Sequence, residues 1–177
     1  SFGVTDNASI VPWLICKNNI RTFNVTPGTT VGTVPGGTFT NMFAGCANLS
    51  NVDLSNLDTS NATSMFKMFN GCTSLKSLDL SSMDTSRVSD MQEMFQNCSQ
   101  LQTLDLSPVN LNGVSNMQAM FNGCAQLTDI KFAADLNTEG ATNMTYMFQN
   151  CTKLVNLDLA GFNTTKVTNM TYMFNGC

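Results

Sequence analysis

Carboxylates recur at one fixed position along this sequence, and they are the residues best suited to contact a ligand. Four of them form what we call the acidic column: Asp53, Asp79, Asp105 and Asp158. Each stands between two apolar residues, as an alternating strand would place an outward side chain. With their polar neighbours they make up the candidate binding face, which comprises Asn51, Asp53, Ser77, Asp79, Ser81, Thr103, Asp105, Ser107, Asp129, Lys131, Asn156 and Asp158.

Stacking the acidic column in successive strands has an electrostatic cost. Unit charges about 5 Å apart repel by roughly 1 kcal/mol at a solvated surface. Three interpretations of the column remain open: a solvated face on which each Asp holds the neighbouring turn, a surface that contacts a ligand, or a calcium site. The sequence itself identifies no catalytic residue, no cofactor and no characteristic set of metal ligands.

One unit breaks the acidic column. Where other units carry Asp, this unit carries Lys131, and one residue is inserted farther along, before Asn143. We expect Lys131 to lie between Asp105 and Asp158 and next to Asp129. The lysine then either neutralises the column locally or marks a spot that sets specificity, and drift in a tolerant repeat explains it equally well.

Seven cysteines invite a disulfide interpretation. Six of them occupy the same place in consecutive units, so they should form a ladder with neighbours close enough for disulfides. Parallel Cβ directions and the odd number argue against such bonds. We therefore expect free, buried thiols that act as small hydrophobic side chains. A metal site is disfavoured because the chain has neither histidine nor a Cys-x-x-Cys motif.

The elements that must position these side chains come from one repeated phrase, Met-x-x-Met-Phe-x-x-Cys-x-x-Leu-x-x-Leu-Asp-Leu-Ser. Its clearest copy runs from Met65 to Ser81. From Cys46 onward, successive cysteines are 26 residues apart, except for a step of 27 between Cys124 and Cys151. A sustained period of this length predicts a solenoid built from stacked units.

Each repeat shows two hydrophobic periods. Alternation such as that of residues 78–81 predicts a short strand, whereas one face of a short helix is predicted by Val88, Met91, Met94 and Phe95. Gly or Asn precedes each of the six cysteines, and both tolerate the left-handed conformation that ends a helix. The predicted fold is an α/β repeat solenoid, a right-handed coil of parallel short strands with short helices on the opposite side. The Met and Phe stripe belongs to its core.

A second polar column follows the strands. It consists of the triplets Asp58-Thr59-Ser60, Asp84-Thr85-Ser86, Asn110-Leu111-Asn112, Asn137-Thr138-Glu139 and Asn163-Thr164-Thr165. Asx and Ser/Thr side chains bond their own backbone in turns, so a structural ladder is the first interpretation. A flat threonine array that binds carbohydrate is the alternative, although Leu111 interrupts it.

Composition excludes several functional classes. The absence of histidine removes Ser-His-Asp and Cys-His arrangements, and we expect no enzymatic activity. Eight Lys and Arg residues without a basic stripe argue against nucleic acid. No run of 18 apolar residues occurs, so no membrane insertion is expected from this chain.

Two regions are predicted. Residues 1–34 form an N-terminal cap with a degenerate first repeat, in which Cys16, Ile20, Phe23 and Val25 mimic the phrase. Residues 35–177 form the repeat array. Because the sequence stops within a repeat, we expect a C-terminally truncated fragment of a longer protein, with its signal peptide and anchor outside.

The phrase from Met68 to Met91, Met-Phe-x-Gly-Cys-x-x-Leu-x-x-Leu-Asp-Leu-Ser-x-x-Asp-Thr-Ser-x-Val-x-x-Met, resembles the BspA-type leucine-rich repeat family of surface proteins. That family occurs on Gram-positive bacteria, mycoplasmas and some parasitic protists. The resemblance covers roughly Phe39 to Cys177. It implies a leucine-rich repeat fold, extracellular display, adhesion or host interaction, and no catalysis. It supplies no binding residue.

These observations predict non-catalytic recognition at a cell surface. The partner would be an extracellular host protein, mucin or glycan bound through the strand-lined face, and the module itself a monomer or weakly self-associating. The alternative is a structural spacer or self-assembling stalk that displays another domain.

Overall fold

A computed structural model describes residues 19–25 and 37–177 of the chain. Most of the predicted N-terminal cap therefore lies outside the described residues, and the predicted boundary at residue 34 stays a prediction. In the described part, parallel bridges connect equivalent residues of successive units: Thr38 to Ser64, Ser64 to Asp90, Asp90 to Asn116, Asn116 to Asn143, and Asn143 to Asn169. One repeat thus makes one turn of a coil, which confirms the solenoid and its period.

Short parallel strands line one side of the coil. β1 (Thr22–Asn24) pairs with β2 (Asn51–Asp53), and β3 (Thr103–Asp105) pairs with β4 (Asp129–Lys131). In β2, β3 and β4 the central apolar residue is buried and its two neighbours are exposed. The predicted alternation is therefore correct, and it turns the polar residues of the strands outward.

Two of the predicted strands do not form as regular strands. Residues 77–81 and 156–160 keep the alternating exposure but take no part in an assigned strand pair. Leu78 and Leu80 are nevertheless buried beneath Ser77, Asp79 and Ser81, which are exposed. The burial pattern positions these side chains even where the hydrogen-bonded ladder is interrupted.

The prediction of short helices is wrong for the described residues, which contain no α-helix. The Met-Phe segments are instead trains of β-turns. In residues 67–72 every second N–H bonds three residues back, as from Met68 to the Met65 carbonyl at 3.1 Å and from Cys72 to the Phe69 carbonyl at 3.1 Å. The remaining N–H groups bond to the next coil, as from Phe69 to the Met94 carbonyl at 2.9 Å.

A three-residue spacing of apolar side chains fits consecutive turns as well as it fits a helix. Segments this short are marginal as helices because the first helical turn is costly to nucleate. Stacked turns offer another solution, since half of their N–H groups are satisfied by the neighbouring coil. The cooperative ladder between coils therefore replaces the hydrogen bonds that a helix would make within itself.

Left-handed backbone occurs at two places in each turn train. The Gly or Asn before each cysteine has a positive φ, as predicted, at Gly45, Gly71, Asn97, Gly123, Asn150 and Gly176. A positive φ at the third residue is typical of a type II turn. A second left-handed position was not predicted, because its side chains share no chemistry: Asn41, Lys67, Glu93, Ala119, Tyr146 and Tyr172.

Substitutions at this second position distinguish turns from a helix, because glycine and alanine have opposite orders of stability in the two structures. Lys67 has a φ of 56°, so Lys67→Gly should be more stable than Lys67→Ala by about 1 kcal/mol, because only glycine adopts this conformation without strain. In a helix the order would be reversed by a similar amount. Urea unfolding of the two variants measures the difference directly, and both variants lose the same side-chain contacts.

Columns of identical side chains fill the core. The stacked rings of Phe43, Phe69, Phe95, Phe121 and Phe148 are fully buried, with neighbouring centroids 5.1 to 5.7 Å apart. The methionines of the turn trains and the leucines of the strand side surround them. The prediction that the Met and Phe stripe is core is confirmed.

Candidate binding face

Each member of the acidic column closes a local turn. One carboxylate oxygen accepts a hydrogen bond from the backbone N–H two residues on, at 2.8 to 2.9 Å: Asp53 from Ser55, Asp79 from Ser81, Asp105 from Ser107 and Asp158 from Ala160. These bonds fit the interpretation in which the Asp holds the neighbouring turn. They engage one oxygen and leave the other on the exposed side of the coil.

Hydrogen bonding favours the charged form of Asp53, Asp79 and Asp105 in this column. The pKa of Asp53 is lowered by the hydroxyl and N–H of Ser55, and the pKa of Asp79 by the N–H and hydroxyl of Ser81. The neighbouring carboxylates Asp105 and Asp53 raise the pKa of Asp79, but they are the smaller influences. The repulsion expected from stacking is thus outweighed locally by donors that favour the ionised form.

The remaining residues of the candidate binding face lie where the alternation placed them. Those exposed to solvent are Asn51, Ser77, Ser81, Thr103, Asp129, Lys131 and Asn156, whereas Ser107 is half-buried. The structure therefore gathers all twelve predicted positions on the strand-lined side. Their role in ligand binding stays a prediction.

Lys131 pairs with one carboxylate of the column. Its Nζ lies 2.9 Å from Asp105 Oδ2 and 3.4 Å from Ser107 Oγ. The Ser107 hydroxyl, the Lys131 ammonium and the Ser107 N–H together lower the pKa of Asp105 to about 2. The interpretation that Lys131 neutralises the column locally therefore holds at Asp105.

Removing the lysine should change the titration of Asp105. We expect Lys131→Ala to raise the pKa of Asp105 from about 2 toward the ordinary value of 3.8, without reaching it because the Ser107 donors remain. A depressed carboxyl pKa contributes stability above its unfolded value, and that contribution is lost as pH falls through about 2. Carboxyl NMR titration measures the shift, with Asp79 as the internal control. An unchanged Asp105 midpoint would mean that the ion pair does not form in solution.

A recess opens beside Lys131. It has a volume of about 370 Å³ and is lined by Asp129, Ile130, Lys131, Phe132, Ala133, Ala134, Leu136, Asp158, Ala160 and Gly161. Three of the predicted residues, Asp129, Lys131 and Asp158, contribute to its wall. Its apolar members were not predicted as site residues, although the extra residue in this unit was the signal that pointed to it.

The turn column beyond the strands is structural. Thr59, Thr85 and Thr138 are buried. The Thr138 hydroxyl, for example, donates to the Asn163 carbonyl at 3.1 Å and accepts from the Asn163 N–H at 2.9 Å. Because these hydroxyls are engaged between coils, they form no flat array for carbohydrate. The structural-ladder interpretation is confirmed.

The six described cysteines carry free thiols, and five of them are buried. Cys98 shows the arrangement: its Sγ donates to the Phe69 carbonyl of the preceding coil at 3.2 Å. Burial raises the pKa of the Cys72, Cys98 and Cys124 thiols, and it raises the pKa of Cys151 to about 12. Within residues 19–25 and 37–177, no three His, Cys, Asp or Glu side chains gather in a way that would hold a metal ion.

Amide side chains along the turn trains are largely bonded to one another. Asn70 donates to Gln96 Oε1 at 2.8 Å, and Asn122 donates to Gln149 Oε1 at 2.7 Å. Equivalent bonds join Asn116 to Gln92 and Asn143 to Gln118. These amide pairs therefore join successive coils on the side formed by the turn trains.

The chain matches a known family of sequences. The sequence model of the family described as "Mycoplasma protein of unknown function, DUF285" matches residues 17–131 and 105–177. No curated protein matches the chain significantly. Among the described residues, no helix has the length and apolar character needed to cross a membrane.

Several solved structures are similar at low identity, and three of them are leucine-rich repeat proteins. A leucine-rich cell surface protein from Faecalibacterium prausnitzii is 24% identical over 52% of this chain and 22% of its own length, with a TM-score of 0.39. A leucine-rich repeat protein from Eubacterium ventriosum is 16% identical over 89% of this chain and 43% of its own length, with a TM-score of 0.48. The T. pallidum leucine-rich repeat protein is 19% identical over 66% of this chain and 59% of its own length, with a TM-score of 0.40. The chain thus spans less than two thirds of each of these proteins.

Proposed function

The chain belongs to the family described as Mycoplasma protein of unknown function, DUF285, and we propose that it is a non-catalytic recognition module at a cell surface. The module binds an extracellular protein, mucin or glycan through the strand-lined candidate binding face. The BspA-type resemblance of the repeated phrase supports the surface location and the adhesive role.

One observation carries this proposal: the candidate binding face presents the carboxylates of the acidic column on the exposed side of successive coils, where each accepts a hydrogen bond from the N–H two residues on through Oδ1. Asp53, Asp79 and Asp158 have no ion-pair partner among the described residues, and only Asp105 is paired. A long surface of repeated polar columns suits an extended partner, as the binding surfaces of other solenoids do.

The chemistry of the chain suits an extracellular, non-catalytic role. Buried thiols with raised pKa values resist oxidation because the reactive thiolate is scarce. The pKa values of Asp53, Asp79 and Asp105 are lowered by neighbouring hydroxyl and N–H groups, such as those of Ser81 at Asp79. Neither feature requires a cofactor.

The test is binding of the purified protein to an array of mucins, matrix proteins and glycans. An Asp79→Lys/Asp105→Lys variant should lose at least tenfold in affinity for the tightest component. The matched control is Asp58→Lys/Asp84→Lys, which makes the same charge change at two exposed Asp residues that also accept a hydrogen bond from the N–H two residues on. If both variants lost affinity equally, or if neither lost affinity, the proposed binding face would be wrong.

A structural spacer is the second candidate, and the regular phenylalanine stack favours it. Ring planes from Phe69 to Phe174 stay within 7° of parallel, with centroids 5.6 to 5.7 Å apart. Such repetition builds a stiff rod that needs no ligand. A folded protein that binds nothing on the array would support the spacer, and sedimentation at rising concentration would separate a monomeric spacer from a self-assembling one.

A further inference from the structure

We propose that the recess beside Lys131 binds an arginine side chain of an extended, basic polypeptide. This inference rests on the proposed recognition function and names the class of partner that the irregular coil selects. It is carried by a recess with one apolar wall and by charge complementarity at its rim.

The extra residue of the 27-residue unit creates the recess. Asp105 and Leu111 are six positions apart in the preceding coil, whereas the equivalent Lys131 and Thr138 are seven apart. The inserted residue therefore falls between Lys131 and Thr138, within the segment that lines the cavity. The wider loop is accommodated as an opening of about 370 Å³.

Hydrogen bonds hold the two coils together on either side of the opening. On one side the Thr152 hydroxyl donates to the Ala125 carbonyl at 3.2 Å, and on the other Thr138 donates to the Asn163 carbonyl at 3.1 Å. Between these points, no backbone hydrogen bond of the described chain joins residues 129–134 to residues 154–161. The recess therefore lies between two coils that are hydrogen-bonded to each other on both sides of it.

The charges around the gap favour a cation. The Asp129 carboxylate has no hydrogen-bond or ion-pair partner among the described residues, and Asp158 uses only Oδ1, which accepts from the Ala160 N–H at 2.9 Å. The one cation in the lining, Lys131, is already paired with Asp105. Two carboxylates therefore remain to be neutralised at the rim.

The apolar wall favours arginine among cations. Phe132 packs edge-on against Phe162, with centroids 5.2 Å apart and planes at 79°, and Leu136 lines the same cavity. An arginine side chain places its methylene stem on apolar surface, stacks its guanidinium on aromatic rings and bonds carboxylates bidentately. A compact ammonium matches the carboxylates but not the aromatic wall.

The charges of the recess favour a peptide over a glycan. β4 pairs with β3 on one side, and Asp158, Ala160 and Gly161 of the following coil line the other side of the recess. A basic peptide that lies along the strand-lined side can place one side chain in the recess, where the two carboxylates complement its charge. The same geometry offers nothing specific to a neutral oligosaccharide beyond the aromatic wall.

The experiment uses the whole chain and a fluorescein-labelled nonapeptide of Gly, Ser and Thr with one central arginine. Matched peptides carry citrulline, which keeps the shape without the charge, or lysine. We expect the arginine peptide to bind, the citrulline peptide to bind at least tenfold more weakly, and the lysine peptide to lie between them. Raising the salt concentration should lower the affinity for the arginine peptide, because the contact is charged and partly exposed.

The protein variants isolate the site. Asp129→Asn/Asp158→Asn keeps an amide oxygen to accept the Ala160 N–H, so the turn survives while both charges are lost. We expect this variant to lose at least tenfold in affinity for the arginine peptide, and the control Asp58→Asn/Asp84→Asn to bind like the parent chain.

Three outcomes would overturn the inference: no binding of the arginine peptide, equal binding of arginine and citrulline peptides, or equal loss in the two double variants. A neutral oligosaccharide in the recess would overturn it as well. None of these outcomes touches the proposed function, which is tested separately by the array and by the Asp79→Lys/Asp105→Lys variant with its control.

Discussion

Phe95→Ala should lower the free energy of unfolding by about 3–5 kcal/mol, the range for a buried aromatic replaced by a methyl group. Phe95 is fully buried, and its ring stacks between those of Phe69 and Phe121 at 5.7 and 5.6 Å. Removing the ring leaves a cavity and breaks two ring contacts at once. In a solenoid each unit depends on its neighbours, so the loss also weakens both adjoining coils. Urea unfolding followed by fluorescence or circular dichroism measures the effect.

The chain provides its own control for this substitution. Phe174 occupies the same position of the phrase and stacks on Phe148 at 5.6 Å, but it is 47% exposed. Phe174→Ala should therefore cost much less than Phe95→Ala. Similar costs for the two variants would show that burial in the phenylalanine stack does not provide the stability assigned to it.

Thr138→Val should destabilise the protein by about 1–3 kcal/mol, although the two side chains have nearly the same shape. The Thr138 hydroxyl is buried and bonds both the N–H and the carbonyl of Asn163. Valine leaves two backbone groups without a partner, and an unsatisfied polar group costs more than an average hydrogen bond contributes. Thermal and urea unfolding of the variant measure this cost.

Thr164→Val is the matched control for that prediction. Thr164 stands at the equivalent place one unit later and is exposed, so its replacement should change stability by no more than about 0.5 kcal/mol. An equal and small effect of both variants would contradict the view that the threonine ladder ties successive coils together.

Most of the architecture was predictable because the repeat makes each position appear several times. The 26-residue spacing of Met-Phe and Cys fixed the coil, and the alternation around Leu78 and Leu80 fixed which side chains face outward. The Gly or Asn before each cysteine identified one left-handed position, because few other residues tolerate it. These features depend on local residue chemistry, which a sequence displays directly.

The turn trains were not predictable by the same reasoning. Apolar residues three apart, such as Met91 and Met94, are compatible with a helix and with successive β-turns, and only the neighbouring coil decides between them. The hydrogen bond from the Met91 N–H to the Asn116 carbonyl crosses 25 residues of sequence. The residue types of Lys67 and Tyr146 did not predict their positive φ, since the conformation is imposed by stacking rather than by the side chain.

The candidate binding face was predictable in position but not in shape. Asp79 and Asp105 followed from the alternation, and the pairing of Lys131 with Asp105 followed from the register. The recess depends on how an inserted residue spreads over several turns, which involves Phe132 and Leu136 through packing alone. Its apolar wall could be seen only in three dimensions.

The most direct test of the account is NMR chemical-shift mapping of the protein with the tightest ligand found on the array. We predict perturbations concentrated at Asp79, Asp105 and Lys131 on the strand-lined side, with the Gln96 and Asn122 amide ladder unchanged. Perturbations confined to that ladder, or an array with no ligand at all, would contradict the claim that the acidic face is a recognition surface.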